Sequence, residues 1–595
     1  MKLGKFIFGL LLLLITGCSV SDNESLKESN KCELKFFVNG IQEKASAIYA
    51  VSNGNNYDVK NNHFFNDSFE SVVSFSEDSY VMDNTRVNKA YSKTASISKL
   101  NKGVKYRILV YSLNDNDEET FVEQYDLISN IDDINGVNID VDMGEKIKWY
   151  AYSFNNNESL GSISNVNSPL VNMGINKDFV YDSGVVVINE NFVNEEIILR
   201  HKTAQIILEI DARGLFTDSI NDLLIKIPEN TLKTGQFDLK NEKVYGNSIS
   251  VPDMELGLTR FENFDDLYSD RKYITLYTVE PEVWNNITFE LDKLSVLMDD
   301  DLSLRNFPKA SYTIPINQNI EVGKRYNIKI DLLESAISYN GVQWARSNLY
   351  RSNRIRNPYR FYSVNKQTDD FRSYFSFKGH IPGKWGSTII NNQKDPCALV
   401  YPSYRWMQPS KADFLTLTRT STNLTTDGLL PIVISNLIGI LGTEATLNAT
   451  FGTNYIEYTN SNNNNTSYPL SSRILRFYYN GYDPLDLNVL GDGWISLNLI
   501  ETYGKSAGLW TSDQGINLLG LVGVGGWGYF ASTRKDLIFS SQQYAKAINS
   551  TQLLNLDVAG LNLVSSARKN VRCVRNPNWE NLSKQKGYNP EPKLN

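Results

Sequence analysis

Ile197-Ile198-Leu199-Arg200-His201-Lys202-Thr203-Ala204-Gln205-Ile206-Ile207-Leu208-Glu209-Ile210 is an apolar run, a basic step and a second apolar run. In the second run Ile206, Leu208 and Ile210 alternate with Gln205 and Glu209, a period of two that buries one face and solvates the other. Half-buried antiparallel sheets show this alternation, whereas buried parallel strands read as unbroken apolar runs. Segments of the same texture recur at Lys31–Ile41, Tyr106–Leu113, Ile147–Phe154, Val185–Ile188, Tyr273–Val279, Ile287–Leu291 and Tyr326–Leu332. They are short, rich in β-branched and aromatic residues, and separated by Asn, Asp and Gly. No helix-period segment of ten or more residues occurs between Lys31 and Leu333. A mainly β fold follows, with one β-sandwich over 31–200 and a second over 201–335.

Beyond Leu333 the texture changes. Trp, Arg and Pro become frequent, and Ser410-Lys411-Ala412-Asp413 ahead of Phe414-Leu415 predicts a capped helix start, with Asp in place of the usual Glu. A mixed α+β module over 340–576 is expected, followed by a flexible tail over 577–595. Leu429–Leu441 is apolar but broken by Pro431 and Asn436, and it is too short to span a bilayer. It reads as buried packing, with a surface that meets a partner as the alternative. Asn462–Asn465 reads as a disordered loop.

The N-terminus places the chain. Lys2 and Lys5 precede an apolar run from Phe6 to Ile15, and Ile15-Thr16-Gly17-Cys18 closes it with small residues before a thiol. This is the three-part anatomy of a secretory signal, over residues 1–17, ending at a lipoprotein cysteine. Cys18 is therefore the expected lipid attachment site, residues 18–30 a solvated tether, and the lipid anchor the only membrane contact. The formal charge of −8 becomes two units more negative when Lys2 and Lys5 leave, and no basic cluster offsets it. That balance excludes a nucleic-acid partner.

Four cysteines occur: Cys18, Cys32, Cys397 and Cys573. With Cys18 lipidated, at most one intrachain disulfide is possible. Cys397 with Cys573 is the expected pair, since both lie in the C-terminal third and the compartment is oxidising. Cys32 alternates with Leu34, Phe36 and Val38 and reads as a small buried hydrophobe.

Several motifs look like chemistry and fail on context. Gly504-Lys505-Ser506-Ala507-Gly508 has the nucleophile-elbow spacing, but His63, His201 and His380 all precede the serine, so the base that should follow is missing. Gly523-Val524-Gly525-Gly526-Trp527-Gly528 has the dinucleotide fingerprint, yet an apolar aromatic stretch follows it and Asp536 comes too early. Three scattered histidines and no Cys-x-x-Cys give no zinc site. Asp132, Asp133, Asp140 and Asp142, and Asp299-Asp300-Asp301, concentrate oxygen ligands of the kind calcium takes, but they lack the EF-hand spacing and read as solvated acidic loops, with calcium binding the alternative. No catalytic residue, metal or cofactor is assigned. Trp406, Trp510 and Trp527 are candidate ligand-contact aromatics, with core packing the alternative for each.

Two resemblances add to this reading. Thr85-Arg86-Val87, Lys102-Gly103-Val104-Lys105-Tyr106-Arg107-Ile108-Leu109-Val110-Tyr111, Trp149-Tyr150-Ala151-Tyr152-Ser153-Phe154, Asp178-Phe179-Val180-Tyr181 and the Ile197–Ile210 stretch resemble fimbrillin-like proteins of Bacteroidetes over residues 31–335. The resemblance implies two transthyretin-like β-sandwiches in a surface lipoprotein that joins a pilus by strand donation. A protease removes the first strand, and the groove then accepts a strand from another pilin subunit. Lys31–Ile41 is then the removable strand. Lys44 is the preferred processing site, with Arg86 as the other.

Trp344-Ala345-Arg346-Ser347-Asn348-Leu349, Asp395-Pro396-Cys397, Tyr404-Arg405-Trp406-Met407-Gln408-Pro409-Ser410, Gly508-Leu509-Trp510-Thr511-Ser512 and Val571-Arg572-Cys573-Val574-Arg575 occur in an order that resembles the lectin-like module of Bacteroidetes and Fibrobacter surface proteins. That resemblance implies a C-type-lectin-like domain in which Cys397 and Cys573 pair. The Glu-Pro-Asn or Gln-Pro-Asp motif of calcium-dependent sugar binding is absent from it. The two together imply a non-enzymatic pilus tip or accessory adhesin at the outer membrane surface, whose receptor is a host or bacterial glycan or protein. A stand-alone glycan-binding lipoprotein of a polysaccharide-uptake system is the alternative.

Overall fold

The structure is a computed structural model that describes residues 31–42, 60–65, 68–77, 97–130, 136–279, 284–382, 394–417, 449–458, 474–481, 486–488, 494–496, 503–514, 526–532, 544–550, 557–558, 561–562, 564–565, 568–585 and 587–593. The apolar run Leu429–Leu441 and Asn462–Asn465 lie outside them. From the N-terminus the strands are β1 (Lys31–Gln42), β2 (Lys60–Phe65), β3 (Phe69–Glu77), β4 (Ile97–Ser98), β5 (Lys105–Leu113), β6 (Glu119–Ile128), β7 (Gly136–Asp142), β8 (Lys146–Ser153), β9 (Leu170–Asn172), β10 (Val180–Val187) and β11 (Phe192–His201). Then come β12 (Ala204–Gly214), β13 (Thr217–Ile227), β14 (Lys233–Asp238), β15 (Lys243–Ser250), β16 (Met254–Gly257), β17 (Glu262–Asn263), β18 (Arg271–Thr278), β19 (Trp284–Met298), β20 (Leu304–Phe307), β21 (Ala310–Gln318) and β22 (Arg325–Glu334).

The two apolar runs quoted first become β11 and β12, and they belong to different sheets. β11 ends at His201 and β12 begins at Ala204, so Lys202 and Thr203 cross between them. Each basic residue of the step is held. Arg200 donates to Asp182 (2.6 Å), the His201 Nδ1–Asp178 Oδ1 distance is 2.7 Å, and the Lys202 ammonium lies 5.0 Å over the Tyr181 ring.

The N-terminal sheet runs β4-β1-β11-β10-β8-β5-β6, with β7 also on β1. It curls round one core in which Leu34, Phe36, Ile108, Val110, Trp149, Ile197 and Leu199 meet. One continuous sheet thus stands where two stacked sheets were expected, because β10 bonds to both β11 and β8. Its outer face carries Leu109, Tyr111, Tyr150, Tyr152 and Tyr181, covered by Val171 of β9 and Phe237 of β14. The second body is a true sandwich. β17-β18-β12-β22-β3-β2 forms one sheet, β16-β13-β19-β20 with β21 forms the other, and their apolar faces share a single core.

Neither body is a contiguous stretch. The hairpin β2–β3 adds to β22 of the second sandwich, Phe69–Glu77 pairing antiparallel with Glu334–Tyr326. Conversely β14 and β15 pack on the first sheet's outer face through β9. β11 closes the first sheet at His201 and β12 opens the second at Ala204, while these excursions cross between the two bodies. Long-range pairing that leaves a body and returns has no local signal.

Beyond β22, Ile337–Tyr339, Val342–Trp344, Val574–Arg575 and Trp406–Met407 form a four-stranded sheet that brings the two ends of the C-terminal module together. The expected capped start is present. Ser410 Oγ accepts from the Asp413 amide (3.2 Å), and Asp413 Oδ2 accepts from the Ser410 amide (2.7 Å) at helix α1 (Lys411–Leu415). A flexible tail was expected over 577–595, but the described residues of that segment are docked on the rest of the chain. Helix α2 (Trp579–Ser583) buries Trp579 against Val72 and Leu333, the Arg405 guanidinium lies 4.4 Å over its ring, and Glu591 pairs with Arg213. One buried tryptophan and one acid dock a segment that has no apolar period.

Candidate functional site: the groove holding the first strand

β1 is held on both sides by main-chain bonds. It runs parallel to β11, Glu33–Gln42 against Phe192–Arg200, and antiparallel to β7, Lys31–Phe37 against Asp142–Gly136. Past a bulge between Val38 and Gly40, β4 takes over from β7 at Ile41 and Gln42. Its apolar alternation is what buries it: Cys32, Leu34, Phe36 and Ile41 all point into the core. Cys32 is thus packing, as its spacing predicts. Phe36 and Trp149 meet edge to face at 6.1 Å between ring centroids.

The outward side chains tie β1 to the groove walls. Asn39 donates to Glu196, Asn138 donates to Glu33, and Arg200 donates to Gln42 at 2.9 Å. Behind the strand, Trp149 Nε1 donates to Glu195 (3.0 Å). Burial raises the Glu195 carboxyl above its ordinary range, the indole bond works against the rise, and the Asp182 charge adds to it.

This arrangement can do one thing chemically that a hairpin strand cannot. β1 and β11 are parallel and about 150 residues apart in sequence, so no tight turn fixes β1 in place. A cut after β1 would leave the strand held by main-chain bonds, apolar burial and the side-chain bonds of Glu33, Asn39 and Gln42, with no covalent link on that side. Its departure would uncover a slot with pockets for alternate side chains and unpaired backbone on both walls.

Among solved structures, a candidate cell adhesion protein of Bacteroides fragilis matches 52% of this chain and 99% of its own at 13% identity, TM-score 0.30. The fimbrial anchor protein Mfa2 of Porphyromonas gingivalis matches 47% of this chain and 82% of its own at 10% identity, TM-score 0.21. A fimbrial assembly protein of Parabacteroides distasonis matches 38% and 83% at 13% identity, TM-score 0.21. No family model and no curated protein matches. Likenesses of this extent leave the function to be argued from the groove itself.

Of the residues singled out in the sequence, Cys18, Lys44 and Arg86 lie outside the described residues. Cys397 and Cys573 are joined, with Cα atoms 5.8 Å apart across a separation of 176 residues. Two of the candidate ligand aromatics are corrected. Trp406 and Trp510 are 1% and 0% exposed, Phe361 packs edge to face on Trp406, and Trp510 Nε1 donates to the Phe375 carbonyl (2.8 Å). Neither offers a face to a sugar. Trp527 has its backbone in the strand Gly526–Ser532, and its side chain lies outside the described residues. That strand stands where the dinucleotide motif needs a helix, and Ser506 begins a strand (Ser506–Gln514) rather than an elbow. Asp299 and Asp300 are structural acceptors, for Tyr350 Oη (2.9 Å) and the Ser363 amide (3.1 Å). Gly40 and the walls β7 and β4 are missing from the sequence reading. A lone glycine inside a strand pattern was the available signal for Gly40, since it marks a bulge or a close backbone approach.

Proposed function

We propose that this chain is a surface-anchored pilus subunit of tip or accessory type that acts as an adhesin and joins the pilus by accepting a donor strand in the groove now filled by β1. The observation that carries this is the pairing of β1: parallel to β11, antiparallel to β7 and β4, and buried by alternate side chains. Such a strand is replaceable by another of the same pattern, which is β-augmentation with pockets for specificity. Lipid attachment at Cys18 would tether the precursor at the outer membrane, and processing at Lys44, or else Arg86, would free the strand. Lys44 suits the fold better. A cut there separates β1 alone, whereas a cut at Arg86 also severs the hairpin β2–β3, which supplies Phe69, Val73 and Phe75 to the second core.

A tip or accessory position is supported by the engagement of residues 576–591. Asn576, Trp579, Tyr588, Pro590 and Glu591 all bond or pack elsewhere in the chain, so donating this segment would mean stripping it from those contacts. The C-terminal module would then present the adhesive surface, in the manner of a lectin-like domain. Burial of Trp406 and Trp510 removes two of the three aromatics on which the glycan-uptake alternative rested.

The test is protease-triggered assembly. Mature protein trimmed with trypsin and mixed with a shaft pilin should give an SDS-resistant ladder capped by one copy of this chain. Trimming that merely unfolds the protein, with no subunit captured, would overturn the proposal.

A further inference from the structure

We infer that the strand this groove accepts is specified in register by a glycine and in charge by cations on its outer face. This rests on the strand-acceptance reading and names the chemistry of the partner segment. β1, the occupant present, shows what the groove demands. At Gly40 φ is +154°, and a Cβ there would collide with the carbonyl oxygen of Ser98 on β4. Further along the same wall, a Cβ on Gly136 of β7 would collide with the carbonyl oxygen of Phe36. Both obstacles are backbone, which cannot swing aside as the end of a flexible side chain can. The slot therefore closes on the inserted main chain at two heights. Four residues before the glycine, Phe36 fills the space beside Trp149, and directly after it Ile41 is buried again. The fitting pattern is an aromatic residue, any three residues, glycine, then an apolar residue. A slip of one residue would bring a side chain against Ser98 and turn every apolar group outward.

Charge supplies the second criterion. Asp140 and Asp142 of β7 are exposed on the outer face, as is Glu196 of β11. In register with them stand Glu33, Lys31 and Phe37 of β1. On this face the walls carry three carboxylates and one guanidinium, Arg200 of β11, while the present strand carries Lys31, Lys35 and Glu33, so a strand with Glu33 replaced by a cation would suit the walls better. The partner is thus a segment of another polypeptide, entering parallel to β11.

The experiment uses the full chain with a site-specific protease sequence placed in residues 43–59. The protein is cut and incubated with fluorescent synthetic peptides of residues 31–42: unaltered, Gly40→Ala, Glu33→Lys, and Lys31→Glu with Lys35→Glu. The unaltered peptide should displace β1 and co-migrate with the protein. Gly40→Ala should incorporate at least about tenfold less well. Glu33→Lys should enter faster than the unaltered peptide and the doubly acidic one slower, with both differences shrinking as salt screens the walls. Equal entry of the alanine peptide overturns the glycine register, and equal entry of the charge variants overturns the cation preference. If no peptide enters, the unaltered one included, strand acceptance itself fails and the inference falls with it.

Discussion

At the scale of single residues, burial separates function from packing in the C-terminal module. Trp510 is enclosed by Phe377 and by the Lys569 ammonium 3.6 Å over its ring, and its indole N–H is committed to Phe375. Trp510→Ala should cost about 3–5 kcal/mol in a urea titration, and any loss of ligand binding should track the unfolded fraction. Asp395 carries a second expectation. Its carboxylate accepts from the amides of Cys397 (2.8 Å) and Gln408 (2.9 Å), yet burial outweighs those bonds and lifts its pKa to about 6. A raised carboxyl binds its proton more tightly folded than unfolded. The stability it contributes is full below the unfolded value near pH 4 and is lost as pH rises through about 6. Asp395→Asn cannot ionise, so between pH 4 and 7 its stability should fall less than that of the unaltered chain, by up to about 3 kcal/mol. Identical pH profiles would show that Asp395 titrates normally. Neither fate was legible in the sequence: Trp406-Met407 and Leu509-Trp510 lack a period long enough to assign a face, so a core tryptophan and a ligand platform read alike.

At the scale of elements, the apolar alternation of β1 was legible because one face is wholly buried, and the same holds for β5, β8, β12 and β22. β6 was missed because it lies at the sheet's edge and exposes Val122 and Ile128 among its acids. The hairpin β2–β3 was missed for a different reason, since its partner β22 is some 250 residues further along. The first strand and the hairpin β2–β3 make distinct predictions. Phe36→Ala should destabilise the first body by about 3–5 kcal/mol, while the outward Lys35→Ala should stay within about 0.5 kcal/mol. After a cut in residues 43–59, amide exchange should quicken across β1 and leave Phe69–Glu77 as protected as β12 and β22. Simultaneous loss of protection in β1 and β3 would mean that the two strands leave as one unit, and Lys44 would lose its advantage over Arg86.

At the scale of the whole molecule, the second sandwich and the C-terminal module meet across a seam of ion pairs, most of them a sandwich carboxylate against a module guanidinium, with Arg213 and Glu591 reversed. The sandwich contributes Glu70, Asp211, Asp270 and Glu334, and the module contributes Arg346, Arg354, Arg405 and Arg575 with Tyr401. Glu70 lies on the hairpin and takes both Arg405 and Arg575, the latter at 2.6 Å. Burial pushes the Arg405 guanidinium down to about 9, and the neighbouring Arg575 pushes the same way. Glu70 opposes them first, with Tyr588 and Glu580 adding less, and the one Glu70 carboxylate pairs with both buried cations. Removing one partner of a buried pair costs far more than the pair contributes, because it strands a desolvated charge. Glu70→Ala should therefore weaken the seam by about 3–5 kcal/mol, and Glu70→Gln, which keeps the shape but not the charge, by nearly as much. Phe69, Val73 and Phe75 would still anchor β3 in the sandwich core, so the module should loosen while the sandwich stays folded. Calorimetry should then resolve two transitions in place of one, and limited proteolysis should cut at the seam first. A single transition at an unchanged midpoint would mean that Tyr401, with its bonds to Asp211 and Asp331, holds the module without help from the hairpin.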